Sequence, residues 1–203
     1  MPTVQRLSVI LLLALATALP GCQLTESSSR GKPRWDESVP RKVATREAGS
    51  SGGGSQLALV LTNAQGKPGS EVSVTAKLNT GGSSIAGTQN DIVFDPAQVS
   101  VARDSRGNPD CSANRSIKKD ATAFSFVPKN CGNNCTTVRA LVLALNNVDP
   151  IPNGSTLYTC RVRIADRATA GAHPLKLTRV GFSSPAGESV NGGSENAAIT
   201  VSR

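Results

Sequence analysis

Four cysteines are the side chains best suited to covalent chemistry in the second half of the chain. They are Cys111, Cys131, Cys135 and Cys160. In an exported domain an even number of cysteines is typical of two disulfides, and three pairings are open. The stretch from Cys111 to Cys131 is roughly symmetric about a turn-like KKD sequence at 118–120, which favours Cys111–Cys131 with Cys135–Cys160. Pairing Cys131 with Cys135 and Cys111 with Cys160 is almost as reasonable. Zinc is disfavoured because its cysteine sites are usually built from two closely spaced pairs, and only Cys131 and Cys135 are close.

Side chains that could catalyse a reaction by acid–base chemistry are sparse. His173 is the only histidine and directly precedes Pro174, so we expect a surface residue and not a general base. Asp91 and Asp95 lie on one predicted strand, about 13 Å apart by strand rise, which is too far for the carboxylate pair of a glycosidase. We expect Asp95 to begin an Asp-Pro turn and Asp91 to be solvated. The sequence therefore predicts no catalytic residue.

A polar loop contains oxygen ligands of the kind that calcium prefers. Asp104, Asn108 and Asp110 surround Gly107, but the closing glutamate of an EF-hand loop is missing. We therefore interpret this segment as a turn, and predict neither a metal nor a cofactor.

A fifth cysteine, Cys22, follows a short apolar segment near the start of the chain. Residues 7–19 read LSVILLLALATAL after Arg6, and Pro20 and Gly21 precede the cysteine. The run is too short for a helix that must cross about 30 Å of hydrocarbon, but it has the build of an export signal. Its ending also resembles the bacterial lipoprotein signal, which implies that Cys22 is lipidated and becomes the new N-terminus. A plain secretory signal or an uncleaved anchor is the alternative.

The segment after Cys22 has the composition of a flexible tether. It contains serine runs, two prolines and GSSGGGS at 49–55, without apolar periodicity. As a coil it would span roughly 30 Å. The sequence thus predicts a signal peptide at 1–21, a lipid-anchor cysteine and tether at 22–55, and a folded domain at 56–203. The predicted location is the cell membrane or the outer membrane, on the periplasmic side or at the cell surface.

The net charge is positive but does not indicate nucleic-acid binding. The whole chain carries +8, from 22 basic and 14 acidic residues. The surplus is dispersed, and residues 56–203 lack the aromatic side chains on which bases stack. An exported protein would also rarely meet nucleic acid.

The folded domain has the alternating pattern of β-strands. Apolar and polar residues alternate along 72–78 and 158–164, which predicts strands with one wet face. Segment 139–145 (RALVLAL) is apolar on both faces and is either a central strand or a short helix; a long hairpin fits its neighbours best. Further strands are predicted at 57–61, 91–94, 99–102, 123–127, 175–180 and 198–201. About nine strands with turn signals between them predict an all-β, two-sheet antiparallel sandwich of jelly-roll type.

The order of these features resembles a cohesin domain, the module that binds dockerin domains in bacterial cell-surface and cellulosome assemblies. The resemblance rests on GSEVSVTAKL at 69–78, IAG at 85–87, DIVFDP at 91–96, GSTLY at 154–158, and AG and PL at 170–175. It covers about residues 57–201. It implies a nine-stranded sandwich with immunoglobulin-like layering and a non-catalytic protein-binding role, with a dockerin-type partner and a polysaccharide-degrading context. It assigns no binding residue.

A carbohydrate-binding module of similar fold is the alternative. Sugar rings stack on exposed aromatic faces. The strand patterns, however, place most of the aromatic rings in the core; the rings on these strands are Phe94, Phe124, Phe126 and Tyr158. Phe182 is the one ring left that could be exposed, and a single ring is a poor platform. A flat sheet face carrying Thr, Arg and Lys suits a protein partner or an acidic glycan better.

Overall fold

A computed structural model describes residues 56–203. This part of the chain forms thirteen β-strands and two short 3₁₀ helices, Arg115–Ile117 and Gly132–Asn134. It contains no helix with the length and hydropathy that a membrane crossing requires. Cys22, the predicted signal and the predicted tether lie outside the described residues. The strands are β1 (Ala58–Leu61), β2 (Ala64–Gly66), β3 (Glu71–Asn79), β4 (Gly87–Val93), β5 (Val99–Val101), β6 (Cys111–Ala113), β7 (Ala123–Val127), β8 (Thr137–Val142), β9 (Thr156–Ile164), β10 (Gly171–Ser183), β11 (Ser189–Val190), β12 (Gly193–Glu195) and β13 (Ala197–Val201).

The strands form two sheets, as the alternating pattern predicts. The first sheet has the order β12-β1-β3-β9-β5, and β6 also pairs with β9. The second has the order β2-β13-β10-β4-β8-β7, and β11 also pairs with β10. Only β1–β12 and β13–β2 are parallel; the other pairs are antiparallel. The all-β sandwich is confirmed. Each of the nine predicted segments is a strand, and the additional strands β2, β6, β11 and β12 have only two or three residues.

The core lies between the two sheets, because successive side chains of a strand point to opposite faces and the apolar ones share the inner face. Every second residue is buried from Val74 to Leu78 in β3 and from Tyr158 to Ile164 in β9, with polar residues between them on the outer side. Segment 139–145 is a strand and not a helix over its first part, since β8 pairs with β4 on one side and β7 on the other. The inward residues of β8 are Val138, Ala140 and Val142, each fully buried.

Tyr158 joins the two sheets through a polar contact inside the core. Its hydroxyl on β9 donates to Asn90 Oδ1 on β4 at 3.0 Å, and its ring packs edge-to-face with Phe124 at 5.2 Å between centroids. Burial raises the pKa of the Tyr158 phenol, so the hydroxyl stays a donor. The contact fixes β9 opposite β4, and so positions the central strand of the second sheet.

The disulfides correct the favoured pairing. The structure has Cys111–Cys160 and Cys131–Cys135, so the prediction of Cys111–Cys131 with Cys135–Cys160 is wrong and its alternative is right. The reason is β6: this three-residue strand pairs with β9 and sets Cys111 directly opposite Cys160, with 4.0 Å between their Cα atoms. The symmetric stretch between Cys111 and Cys131 does not form one hairpin.

Candidate functional site

The outer side of the second sheet presents a broad face, called here the Arg139 face. It comprises the outward residues of β10, β4, β8 and β7. Because Ile92 and Val138 point into the core, their neighbours along each strand point outward. The residues of the Arg139 face are Lys176, Thr178, Arg179, Gly181, Gln89, Asp91, Val93, Thr137, Arg139, Leu141 and Ser125.

An ion pair lies at the centre of the Arg139 face. Arg139 Nε and Nη2 donate to the two carboxylate oxygens of Asp91 at 2.7 and 2.8 Å. The Asp91 side chain is only 5% exposed, against 34% for Arg139, because the guanidinium covers it. Bidentate hydrogen bonding to the carboxylate raises the pKa of Arg139. The expectation that Asp91 is solvated is therefore wrong.

A β-bulge brings a second arginine to the same carboxylate. The β10–β4 register shifts between Thr178 and Gly181, so that two residues of β10 stand opposite one of β4. One of the two is Arg179, whose φ of 51° lies in the left-handed region. Its Nε is 3.8 Å from Asp91 Oδ2, and its side chain is 71% exposed. The face thus presents a fixed, partly accessible pair of guanidinium groups around one shielded carboxylate.

A shallow depression lies beside this ion pair. It has a volume of about 220 Å³ and is lined by Gly87, Gln89, Leu141, Leu143 and Gly181, among others. Gly181 has an ordinary φ, and a Cβ placed on it would meet no atom within 4 Å. Gly181 therefore leaves the backbone open beside Leu141, whereas Gly87 is packed against Ser183, since a Cβ on it would lie 2.8 Å from the Ser183 hydroxyl. A protruding side chain of a partner would find apolar walls and exposed main chain here.

The outer side of the first sheet has a different character. Arg161 bonds Asp110 at 2.7 Å and lies 3.6 Å from Glu71, while Arg163 bonds Asp166 at 3.1 Å. Most of these side chains are well exposed, and exposed pairs of this kind contribute little to stability. Protein interfaces are depleted of acidic residues at their centre and enriched in arginine. The Arg139 face fits the enrichment in arginine, and its one acidic side chain, Asp91, is shielded from solvent, whereas Glu71 and Asp166 on the other side of the domain are exposed.

The residues that the sequence offered for catalysis do not converge. His173 Nε2 donates to the Thr169 carbonyl at 2.7 Å, and Asp95 Oδ1 accepts from Ala97 N at 3.0 Å in the expected Asp-Pro turn. Neither meets a partner suited to proton transfer. Asp91 is paired with Arg139 and Arg179 on the Arg139 face, and Asp95 lies in the Asp-Pro turn that follows β4.

The polar loop from Asp104 to Asp110 is closed by its own hydrogen bonds. Asp104 accepts from the backbone N–H of Asn108 at 2.8 Å and of Arg106 at 2.9 Å, and the Asn108 bond is the main cause that lowers the pKa of Asp104. Asp110 is turned away to Arg161. Within 56–203, no three side chains of the types His, Cys, Asp and Glu come close enough to hold a metal ion.

The aromatic side chains do not form a sugar-stacking platform in the described part of the chain. Phe182, the one ring whose position the sequence left open, is 5% exposed and belongs to the core. The bulge at Arg179 shifts the alternation of β10 by one residue and turns Phe182 inward. The other rings of residues 56–203 are buried or half-buried in the core cluster.

A loop that the sequence did not single out follows β8. Leu145 is 89% exposed and Val148 is 60% exposed, and they are the large apolar side chains that stand out on the described surface. The buried Lys119 holds the loop in place, because its Nζ donates to the carbonyls of Asn147 at 3.0 Å and Asp149 at 2.8 Å. Burial lowers the pKa of Lys119, and the charge of Asp149 opposes this. A lysine in a KKD turn gave no sign of burial.

Solved structures resemble this architecture closely enough to define the fold. The sixth cohesin of Acetivibrio cellulolyticus scaffoldin B, in complex with a Cel5 dockerin, matches 73% of this chain and 100% of its own, with a TM-score of 0.59 and 16% identity. A cohesin from Clostridium acetobutylicum matches 72% of this chain and 91% of its own, with a TM-score of 0.58 and 16% identity. The chain has a cohesin-like fold.

The cohesin-like fold also occurs outside cellulosomes. A non-cellulosomal cohesin from the archaeon Archaeoglobus fulgidus matches 73% of this chain and 93% of its own, with a TM-score of 0.54 and 12% identity. No protein-family model matches the sequence, and no curated protein matches it either. The likeness is therefore one of architecture and not of sequence.

Proposed function

We propose that this chain is a non-catalytic protein-binding module of the bacterial cell envelope, and that the Arg139 face receives its partner. The observation that carries the proposal is the contrast between the two sheets. One outer side is crossed by exposed ion pairs, whereas the Arg139 face combines a shielded bidentate ion pair, an exposed Arg179 beside it and a depression with apolar walls. A shielded centre with arginine at its edge is the composition of protein interfaces.

A dockerin-type domain is the partner class that we propose. Several of the similar structures are cohesins in complexes with dockerins, and the same sandwich is present here. The face carries Arg139, Arg179 and Lys176 against a single buried carboxylate, so a partner with acidic side chains at its rim would complement it. The buried Phe182 removes the main argument for the glycan alternative.

Filling the depression tests the proposed face. Gly181→Tyr places a ring on the Arg139 face at a position where the added Cβ meets no atom within 4 Å, so the fold should be retained. We expect this variant to weaken binding of calcium-loaded dockerin domains at least about tenfold, which corresponds to ~1.4 kcal/mol. The measurement is calorimetric titration of the full chain against a dockerin panel that includes those of the source genome.

The matched control is Ser73→Tyr, which adds the same ring to the outer side of β3 in the first sheet, where Ser73 is exposed. It should bind like the unmodified chain. Loss of binding in Ser73→Tyr with full binding in Gly181→Tyr would move the site to the first sheet. If no dockerin and no envelope protein binds the unmodified chain, the protein-binding proposal fails.

The envelope location is tested at Cys22. Expressed in a bacterium with its own leader, the unmodified chain should sediment with membranes and carry a mass increase of acyl chains at its N-terminus, because two or more chains give stable anchoring. Cys22→Ala should be released by washing. The proposal of a lipid anchor is contradicted if mass spectrometry of the unmodified chain finds an unacylated N-terminus downstream of Cys22.

A further inference from the structure

The two disulfides differ in what they join and in how they are covered. Cys111–Cys160 links β6 to β9 across 49 positions of sequence, and Cys160 is 1% exposed. Cys131–Cys135 brackets the 3₁₀ turn Gly132–Asn134 in the connection from β7 to β8. Cys131 is half-buried, and Cys135 is 4% exposed. The second bridge therefore holds a local surface turn and joins no distant strands.

An arginine from another loop lies against the more buried sulfur of this turn. Arg103 Nη2 is 2.9 Å from Cys135 Sγ and also donates to the Gly132 carbonyl. Its Nη1 donates to the Gly107 carbonyl at 2.6 Å, and its guanidinium carbon lies 4.2 Å from the centre of the Phe126 ring. These contacts fix the guanidinium on several sides. None of the ion pairs among residues 56–203 involves Arg103, so its charge is directed at a sulfur and at carbonyl oxygens.

The two cysteines of the bridge line different cavities. A space of about 240 Å³ is lined by Cys131 together with Lys129, Asn130 and Asn108. A second space of about 410 Å³ is lined by Cys135. Arg103 lines both. An incoming thiol can thus approach Cys131 from one side while the arginine stays against Cys135 on the other.

We propose that Cys131–Cys135 is a thiol–disulfide exchange site, in which Cys131 is the attacked sulfur and Arg103 stabilises the leaving Cys135 thiolate. The thiolate of a small-molecule or protein thiol forms a bond to Cys131 Sγ. The bond between the two cysteine sulfurs breaks, and its electron pair goes to Cys135. A second thiolate then attacks the sulfur of the incoming group, which leaves as a disulfide, and Cys131 takes up a proton from water. Two thiols are thereby oxidised to one disulfide while the bridge gains two electrons.

The assignment of roles follows from pKa. A thiol whose pKa is lowered leaves faster, and a neighbouring arginine lowers the pKa of a cysteine thiol. Cys135 is the sulfur next to the guanidinium, and Cys131 is the more exposed one. The proposal is independent of the binding function assigned to the Arg139 face.

The test uses the full-length chain with Cys22→Ser, so that the remaining thiols come only from the two bridges. Reduced glutathione is added, the reaction is stopped with acid, and free thiols are alkylated for mass spectrometry. We expect glutathione on Cys131 while Cys111–Cys160 stays closed. Arg103→Gln should slow this opening at least about tenfold, since the leaving thiolate loses its stabilising charge. Arg161→Gln is the matched control: it removes an exposed arginine that bonds only carboxylates, and should leave the rate unchanged.

A second measurement separates the charge of Arg103 from its packing. In Cys131→Ser the free Cys135 thiol should have a pKa below the usual value of about 8.5, measured as the pH dependence of its alkylation by iodoacetamide. Adding Arg103→Gln should raise that pKa by about one unit, and Arg103→Lys should raise it less. The proposal is overturned if Cys111–Cys160 opens first or equally fast, if glutathione is found on Cys135, or if the Cys135 pKa does not respond to Arg103→Gln.

Discussion

Replacing both Cys111 and Cys160 by alanine is expected to lower the free energy of unfolding by about 4 kcal/mol. The bridge closes a loop with a sequence separation of 49, and the entropy that it removes from the unfolded chain grows with loop length. It also holds β6, a strand of three residues, against β9. The measurement is urea unfolding under non-oxidising, non-reducing conditions, with the double alanine variant beside the unmodified chain.

The other disulfide supplies the comparison for this experiment. Cys131 and Cys135 are separated by only 4 positions, so the same estimate gives about 2 kcal/mol for their removal by alanine. We expect the variant without Cys111–Cys160 to lose more unfolding free energy than the variant without Cys131–Cys135. Equal losses, or a larger loss for Cys131→Ala with Cys135→Ala, would contradict the chain-entropy argument for this fold.

Arg139→Met is expected to lower the free energy of unfolding more than the removal of an exposed arginine does, because it leaves a buried carboxylate without its bidentate partner. Asp91 is 5% exposed, and the remaining arginine, Arg179, is 3.8 Å away and largely in solvent. Water screens part of the pair, because the Arg139 side chain is one-third exposed. Chemical denaturation of the purified variant measures the loss.

A double-mutant cycle isolates the pair from the packing around it. Asp91→Val with Arg139→Met removes both charges and leaves apolar side chains on neighbouring strands, so most of the loss should be recovered. Arg161→Met on the first sheet is the matched control. Its side chain is 58% exposed, and we expect its removal to leave the free energy of unfolding nearly unchanged. A double variant as unstable as Arg139→Met alone would show that packing, and not charge, holds the centre of the face.

The sequence was sufficient for the sandwich because each long strand repeats its pattern several times. Along β9, apolar and polar residues alternate from Tyr158 to Ile164, and the structure keeps that phase up to an irregularity at Leu157, where the pairing with β3 shifts by one residue. Segment 139–145 was ambiguous alone, and its pairing on both sides decides it. Local alternation can predict a strand, but it cannot predict which strand lies beside it.

The arrangement of the Arg139 face could not be predicted from the sequence, because it also depends on which strands lie side by side. One bulge at Arg179 reverses the phase of β10, which buries Phe182 and brings an arginine to Asp91. Asp91 is covered only because β8 places Arg139 opposite it. The disulfide pairing depended on β6, which is too short to give a periodic signal. These features arise from register between strands that are distant in sequence.

The position of β1 has a mechanical consequence. It is the first strand of the described domain, and it is paired on both sides, with β12 and with β3. A pull on residue 56 directed along β1 would load both ladders in shear, so that their hydrogen bonds would have to break together. A strand at the edge of the sheet could instead be peeled away one bond at a time. A partner bound on the Arg139 face could therefore transmit tension to the N-terminal segment through a strand that does not unzip.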